Sequence, residues 1–211
     1  MLRKIRMSPQ DWKESYEGKE LPHWAIDMTP SPLAKRLCEH LPNKSGNKIL
    51  EIGVGNGRDS IYLAKMGNKI IGIDIAQGAI DLAKENSKKE GVEDKIQFQV
   101  GNAENLEFSD EGFDAVYSIS VLQYTILTES FKEITRVLKP GGKFMLHMYV
   151  MLKSGEKGKE LTYWFYKEEK VKEIAKENQF ILERSHTSWD KKHKGEVTKV
   201  LVMEMHKKKN K

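Results

Sequence analysis

Two patterns of apolar and polar positions alternate along the chain. Short runs rich in β-branched residues are separated by longer stretches in which apolar residues recur at helical spacing. The short runs predict five strands, and the longer stretches predict amphipathic helices. The predicted strands are 48–54, 69–74, 96–101, 113–118 and 143–150. Strands and helices that alternate in this way form a mostly parallel sheet with helices on both faces.

Turn residues mark the ends of the predicted helices, which are 59–66, 77–90, 129–138 and 167–177. The third helix is expected to end at 139–142, a Lys-Pro-Gly-Gly sequence, because proline and glycine stop a helix and begin a turn. Two later apolar runs, 181–189 and 197–206, flank a basic, glycine-containing segment. They predict an antiparallel hairpin.

The first part of the chain has no strand pattern. Several prolines interrupt it, and Trp12, Tyr16 and Trp24 supply aromatic surface. We predict an N-terminal cap that lies over one end of the sheet. In α/β proteins, ligands bind at the carboxyl ends of the strands. The cap therefore either packs there or also closes over a substrate, and the sequence leaves both readings open.

Length and composition favour one globular domain. The 211 residues are 38% hydrophobic and 32% charged, with a net charge of +5, which is typical of a soluble chain. We predict a cap at 1–44, a core at 45–150, and a helix with a closing hairpin at 151–211. The lysine-rich C-terminus, 207–211, predicts a solvated tail before it predicts a nucleic-acid contact.

Cysteine usage and hydropathy narrow the cellular setting. The single cysteine excludes an internal disulfide and a cysteine zinc cluster. No segment is apolar for long enough to span a bilayer. We expect a cytoplasmic protein with no membrane partner and no nucleic-acid partner. We also expect no metal site, because no acidic cluster has the character of a magnesium site. The oligomeric state is not readable.

A glycine-rich turn follows the first predicted strand. Gly53, Gly55 and Gly57 let a nucleotide-like cofactor approach the backbone at a helix N-terminus. Dinucleotide-binding proteins use a similar device, but their third glycine comes one place later, where this chain has Arg58. Glu51 precedes the turn, where a pyrophosphate would meet a like charge. A carboxylate there suits the ammonium and sulfonium of S-adenosylmethionine better.

Side chains at the next strand ends complete the predicted cofactor site. Asp74 closes the second strand, where it either accepts hydrogen bonds from ribose hydroxyls or caps the following helix. Ile75 is expected against the adenine face. Asn102 and Ala103 follow the third strand, where the Asn side chain can accept from the adenine amine and a backbone N-H can satisfy a ring nitrogen.

Five segments in order resemble the signature of the class I S-adenosylmethionine-dependent methyltransferases, and they cover roughly residues 45–150. They read ILEIGVGNG, GID, GNA, FDAV and RVLKPGG in chain order. The resemblance implies a Rossmann-like, doubly wound α/β fold with a seven-stranded sheet and an antiparallel last strand. The predicted cofactor-binding set also includes Arg58, Ser118 and Ile119. Many family members have Asp at the position of Asn102, so the adenine contact differs in detail here.

The acceptor is less defined than the cofactor. The segment after the fourth strand lacks the Asn/Asp-Pro-Pro-aromatic tetrad of nucleobase amino-methyltransferases, and Cys38 precedes the first strand, so no cysteine is placed for pyrimidine carbon methylation. Residues 12–24 are similar to the caps of small-molecule methyltransferases of the thiopurine and tellurite-resistance type. We therefore predict an enzyme that moves a methyl group to a small molecule by in-line displacement. The alternatives are an NAD(P)-binding oxidoreductase and a non-catalytic module that binds S-adenosylmethionine or RNA.

Several side chains are candidates for the substrate pocket, although no universal catalytic residue is expected for this reaction. They are Gln123, Tyr124, Tyr149 and Trp24. His147 lies between apolar neighbours, which favours a hydrogen-bonded histidine in the core. The aromatic run 163–166 either walls the pocket or anchors the next helix. His186 and Trp189 are expected to serve the hairpin.

Overall fold

A computed structural model describes residues 9–17, 21, 23–150, 166–191 and 197–209. Within these ranges the chain alternates between helices and strands, as the apolar pattern predicts. The elements in chain order are α1 (Pro9–Glu17), α2 (His23–Ile26), α3 (Pro32–His40), β1 (Lys48–Ile52), α4 (Arg58–Lys65), β2 (Lys69–Asp74), α5 (Gln77–Lys89), β3 (Ile96–Val100), β4 (Phe113–Ile119), α6 (Leu127–Val137), β5 (Leu138–Val150), α7 (Glu168–Glu177), β6 (Phe180–Lys191) and β7 (Val197–Lys207).

The seven strands form one sheet in the order β3-β2-β1-β4-β5-β7-β6. The first five strands are parallel, and β7 pairs antiparallel with both β5 and β6. The strand order reverses between β1 and β4. In open α/β sheets such a reversal opens a crevice at the carboxyl ends of the strands, where ligands bind. The predicted Rossmann-like fold and its C-terminal hairpin are confirmed.

Helices pack on both faces of the sheet, and the two largest of three clusters of buried apolar side chains lie beneath them. On one face, α6 and α7 cover the core, where the Phe131 ring meets Phe144 and Phe180 edge-on at centroid distances of 5.4 and 5.8 Å. On the other face, α3 and α4 cover a second cluster that includes Leu37 and Tyr117. Both faces of the central strands are therefore dry, as expected for parallel strands.

Two boundaries differ from the prediction. β5 begins at Leu138, because Leu138 pairs with Phe113 before a bulge and the glycines that follow lie inside the strand. The Lys-Pro-Gly-Gly sequence therefore ends the helix, as predicted, but it does not form a separate turn. The predicted solvated tail begins one residue too early: Lys207 belongs to β7, is 7% exposed, and donates a hydrogen bond from Nζ to the Leu138 carbonyl at 2.8 Å.

Candidate functional site

The turn after β1 is built from three glycines in left-handed backbone conformations. Their φ angles are 82° at Gly53, 54° at Gly55 and 81° at Gly57. A Cβ atom added to Gly53 would lie 2.1 Å from Cγ2 of Val121, which is far inside van der Waals contact. The Gly53 N-H donates to the Ile73 carbonyl at 2.7 Å. The backbone of the turn is therefore fixed to β2 in a shape that only glycine adopts without strain.

Asp74 joins this turn to the helix that follows β2. One carboxylate oxygen accepts the Gly55 N-H at 3.1 Å, and the other accepts the Ala76 N-H at 3.0 Å. Burial raises the pKa of Asp74, while the same N-H groups act in the opposite direction. Ala76 is the N-cap residue of α5 and makes no side-chain cap bond, so Asp74 fixes the segment before the helix. Each oxygen keeps further acceptor capacity, so the carboxylate can also receive ribose hydroxyls.

The Glu51 side chain is not at the mouth of the turn, where the sequence placed it. It lies within β1 and is 4% exposed. Its carboxylate accepts hydrogen bonds from the hydroxyl and the backbone N-H of Ser60, in the first turn of α4. Burial, and then the nearby Asp59, raise the pKa of Glu51 well above its ordinary value of 4.5. Glu51 therefore supports the start of α4, and its contact with a cofactor ammonium stays a prediction.

The remaining predicted cofactor residues lie at neighbouring strand ends. The Asn102 side chain is exposed, and its Oδ1 accepts the Glu104 N-H at 3.0 Å, so one acceptor position is already used. Ala103 is buried. Ser118 is fully buried and donates its hydroxyl to the Ile52 carbonyl at 3.2 Å. Ser118 also pairs with Ile52 on one side and Leu146 on the other, so its contact with a cofactor stays a prediction.

The N-terminal cap lies over the glycine turn. The Tyr16 hydroxyl is 3.3 Å from the position that a Cβ atom on Gly55 would take. Burial and the neighbouring Asp74 raise the pKa of Tyr16. The Trp12 ring meets the Tyr124 ring edge-on at a centroid distance of 5.3 Å. Helix α1 therefore covers the region where the predicted cofactor residues meet, and this position is the one that a lid requires.

Asn56, the polar residue within the turn, ties the cap to the core. Its side-chain amide donates to the carbonyls of Ala25 and Asp27 at 3.2 and 2.9 Å. Its own carbonyl accepts from the Asn86 side chain at 2.9 Å. These hydrogen bonds connect the segment before α3, the glycine turn and α5. The turn therefore positions the cap as well as the backbone around the cofactor.

A buried polar network that the sequence reading missed holds α3 against the sheet. Asp59 is 2% exposed and accepts the Ser31 N-H at 2.7 Å and the Tyr117 hydroxyl at 2.8 Å. The hydroxyls of Ser31 and Tyr117 are also hydrogen-bonded to each other. A serine followed by proline is a recognisable helix start, and Ser31 does cap α3. Its long-range partners had no signal in the sequence.

A cavity of about 590 Å³ lies on the sheet face beyond α3. Its floor comes from β5, β7 and β6, and its wall comes from α3, the start of α4 and the end of β4. Its lining residues are Ser31, Pro32, Leu33, Arg36, Arg58, Ile119, Ser120, His147, Tyr149, Arg184, His186, Ser188, Trp189, Val200, Val202 and Glu204. A volume of this size is typical of a small-molecule site.

Several residues line this cavity although the sequence did not predict that they would. His147 is half-buried rather than a core residue, and its Nδ1 is 3.1 Å from the Ser120 hydroxyl. Ser120 has a φ angle of 56°, a strained conformation of the kind that clusters at functional sites. His186 and Trp189 also line the cavity, so they do more than form the hairpin. His147 and His186 lie on the same face because Val202 pairs with both, and only this pairing decides that they share a cavity.

The predicted substrate-pocket residues separate into two groups. Tyr149 lines the cavity, whereas Gln123 and Tyr124 lie below the cap. Gln123 is 5% exposed, and its side-chain amide has no partner at hydrogen-bonding geometry in the part of the chain that the structure describes. The Trp24 side chain lies outside the described residues. Of the aromatic run, only Tyr166 is described, and its hydroxyl donates to the Thr125 carbonyl at 3.0 Å, so it anchors the loop before α6.

Comparisons with known proteins agree with this geometry. Residues 50–146 match a family model described as a methyltransferase domain. The match supports a class I, S-adenosylmethionine-dependent methyltransferase domain over these residues. It is 33% identical over 152 residues to erythromycin 3''-O-methyltransferase of Saccharopolyspora erythraea, an alignment that covers 71% of this chain and 47% of that protein. The chain spans about half the length of the curated relatives it matches.

Solved structures share the fold of this methyltransferase domain. The [4+2]-cyclase SpnF matches with a TM-score of 0.74 and 18% identity, over 84% of this chain and 80% of that one. A SAM-dependent methyltransferase from Methanosarcina mazei matches with a TM-score of 0.65 and 21% identity, over 82% and 98%. At these identities the likeness concerns the fold alone. Among the described residues, no helix is both long and apolar enough to cross a membrane.

Within this family the cofactor is S-adenosylmethionine, and the residues present fit it. The left-handed glycines present backbone without side chains, and Asp74 supplies a carboxylate that is bonded to the Gly55 N-H. Arg58 is the exception among the predicted cofactor residues. Its side chain lies in the wall of the cavity, 3.9 Å from Asp59. Ile119 also lines the cavity. The end of β4 therefore separates the cofactor turn from the cavity.

Proposed function

We propose that this protein transfers the methyl group of S-adenosylmethionine to a small-molecule acceptor. The observation that carries the proposal is the arrangement of Gly53, Gly55 and Gly57 at the end of β1, with the Asp74 carboxylate bonded to the Gly55 N-H at 3.1 Å. This arrangement suits an adenosine ligand with no pyrophosphate. The relatives named as antibiotic and sterol methyltransferases support a small acceptor.

The residues of this chain have three tasks in such a reaction. When bound, the cofactor supplies a methyl group on a good leaving group, so the protein has to align the acceptor and exclude water. Asp74 and the glycine turn orient the nucleoside. Helix α1, with Tyr16 above Gly55, excludes water from that side. The cavity beside Ile119 and Ser120 holds the acceptor.

His147 is the residue best placed to take a proton from an oxygen or nitrogen acceptor. It is half-buried in the cavity wall, and Ser120 holds Nδ1 of its ring at 3.1 Å. A histidine oriented by one ring nitrogen can accept a proton at the other. A soft sulfur acceptor needs no such help, so the dependence of turnover on His147 reports the type of acceptor atom.

The test uses the full chain in two measurements. Calorimetry with S-adenosylmethionine, S-adenosylhomocysteine and NAD establishes the cofactor, and we expect binding of the two sulfur ligands alone. The chain is then incubated with cofactor labelled in the methyl group and with separate small-molecule and RNA extracts. We expect label in the small-molecule fraction. Binding of NAD instead would support an oxidoreductase, and label in RNA would contradict a small acceptor.

The finer assignments are part of the same proposal. We propose that residues 45–150 bind the cofactor and that the cap at 1–44 and the segment 151–211 contribute to the acceptor side. A cytoplasmic location and the absence of a nucleic-acid partner stay predictions, and so does the likeness of the cap to the thiopurine and tellurite-resistance type. The shared fold of a cyclase means that turnover, and not binding alone, has to be measured.

A further inference from the structure

The acceptor cavity has an excess of positive charge. Three arginines line it, Arg36, Arg58 and Arg184, whereas Glu204 is the one carboxylate among its described lining residues. Glu204 is 2% exposed and is hydrogen-bonded to Nε of Arg36. This ion pair, in which only Glu204 is buried, neutralises the charge of Arg36. The surroundings of Arg58 and Arg184 decide which of their charges is left for a ligand.

The two remaining arginines differ in their surroundings. Arg58 lies at the end of the cavity next to the glycine turn and is near two carboxylates, Asp27 at 4.0 Å and Asp59 at 3.9 Å. Arg184 is exposed on the edge strand β6 at the other end. Across the described ranges, its guanidinium has no ion pair and no side-chain hydrogen bond. Arg184 is therefore available to a ligand.

The floor between these two ends is largely apolar. On the cavity face, Val202 stands between His147 and His186, and Val200 stands between Tyr149 and Ser188 in the next row of the ladder. Arg184 lies opposite Glu204 in the third row. An apolar floor with a cation at one end matches a ligand that has an apolar body and one anionic group.

We propose that the methyl acceptor carries an anionic group, a carboxylate or a phosphate monoester, which Arg184 binds at the β6 end of the cavity. This inference rests on the proposed function. The atom that receives the methyl group lies at the opposite end, beside Ile119 and Ser120. Because β4 and β6 are three strand spacings apart, about 14 Å separates the anionic group from the end where the reaction occurs.

The test compares three naphthalene compounds of nearly equal size, measured by calorimetry on the full chain with saturating S-adenosylhomocysteine. They are 2-naphthoate, 2-naphthyl phosphate and the neutral 2-naphthamide. We expect at least one anionic compound to bind about tenfold more tightly than the amide, which is the effect of one charge-assisted hydrogen bond. A preference for the carboxylate or for the phosphate identifies the kind of anionic group.

Variants test whether the preference for the anionic compounds depends on the Arg184 side chain. Arg184→Gln should abolish it, Arg184→Lys should retain most of it, and Arg184→Glu should favour 2-naphthylmethylammonium instead. Lys69→Gln removes the same charge from an exposed position at the start of β2 and should change nothing. Equal binding of anion and amide, no binding of any compound at millimolar concentration, or a preference that survives in Arg184→Gln overturns the proposal.

Separate measurements distinguish a failure of this proposal from a failure of the proposed methyl transfer. Binding of S-adenosylhomocysteine is measured first on the same preparations. If that binding is absent while the anion preference depends on Arg184, methyl transfer fails and the cavity keeps its selectivity for anions. If S-adenosylhomocysteine binds and the preference is absent, the proposed function stands and the anionic acceptor is excluded.

Discussion

The cofactor turn and the acceptor cavity are built in different ways, although the end of β4 is all that separates them. The turn consists of backbone: three left-handed glycines, their N-H groups and the Asp74 carboxylate that accepts one of them. The cavity consists of side chains from α3, α4, β4, β5, β6 and β7. A backbone site tolerates few substitutions, whereas a side-chain site can change its ligand without changing the fold. The difference explains how one fold serves many acceptors.

The largest effect is expected at Gly53, which tests whether the turn depends on its backbone. Gly53→Ala adds a Cβ atom 2.1 Å from Val121 at a φ angle of 82°. We expect the free energy of unfolding to fall by about 2–5 kcal/mol, from strain and overpacking together. Gly46→Ala is the matched control, because its φ angle is 80° and its Cβ atom meets nothing within 4 Å.

Urea denaturation measures both variants. The control should lose about 1–2 kcal/mol from the left-handed conformation alone. The excess loss in Gly53→Ala then reports the contact with Val121. Equal losses in the two variants would mean that close packing of the turn is not what requires glycine there.

The next largest effect is a loss of affinity for S-adenosylhomocysteine on substitution of Asp74. Asp74→Ala removes the acceptor of the Gly55 and Ala76 N-H groups and the proposed partner of the ribose. We expect the dissociation constant for S-adenosylhomocysteine to rise about 100-fold, with cooperative unfolding retained. Asp81→Ala, at an exposed position on α5, is the control and should bind normally. Unchanged affinity in Asp74→Ala would remove this carboxylate from the cofactor site.

Substitution of Glu51 should raise the stability of the fold and weaken the binding of the cofactor. Because its pKa is raised in the folded chain, the folded state holds the Glu51 proton more tightly than the unfolded state, and stability falls as pH rises above 4.5. Glu51→Gln removes this loss, so its advantage over the parent should be absent at pH 4 and present at pH 7. We expect a melting temperature about 2–4 °C higher at neutral pH, which corresponds to about 1 kcal/mol.

The same substitution should weaken the binding of S-adenosylhomocysteine about tenfold, because the cofactor ammonium loses a carboxylate. In the parent, affinity should rise as pH rises through the raised pKa of Glu51, and this slope should disappear in Glu51→Gln. Calorimetry at several pH values checks both. An unchanged slope would show that Glu51 supports α4 without sensing the cofactor.

The smallest change in cofactor affinity is expected on substitution of His147. This variant tests whether the glycine turn and the cavity act independently. His147→Ala should leave the affinity for S-adenosylhomocysteine within about twofold. It should lower the free energy of unfolding by about 1 kcal/mol, since the Ser120 hydroxyl loses its partner. A large loss of cofactor affinity would mean that cavity and turn are coupled through the end of β4.

The residues of the predicted cofactor site could be identified from the sequence because they lie in short motifs at successive strand ends. Gly53, Gly55, Gly57 and Asp74 were identified from their order and spacing, and the structure brings them together at adjacent strand ends. A parallel sheet requires this, since the ends of β1 and β2 meet at one edge. The strand and helix bounds followed from the apolar pattern to within a few residues, with β5 as the exception.

Side-chain direction was less predictable. Glu51 was placed at the mouth of the turn, but burial and the Ser60 hydrogen bonds hold it inside β1. Arg58 was included in the cofactor-binding set; its side chain lies in the cavity wall, and its contact with the cofactor stays a prediction. Lys207 was assigned to a solvated tail, but the Leu138 carbonyl gives it a buried partner. In each case contacts that form on folding, and not spacing along the chain, decided the position.

By itself, the sequence determined the sheet, the glycine turn and the carboxylate beside it, because local conformation and strand alternation need only nearby residues. The tertiary structure alone decided the cavity. His147, Arg184 and Val202 come from three strands, and antiparallel pairing through β7 puts them on one face. It also decided that α1 covers the turn and that Asp59 joins Ser31 to Tyr117. These contacts depend on packing, which spacing along the chain does not encode.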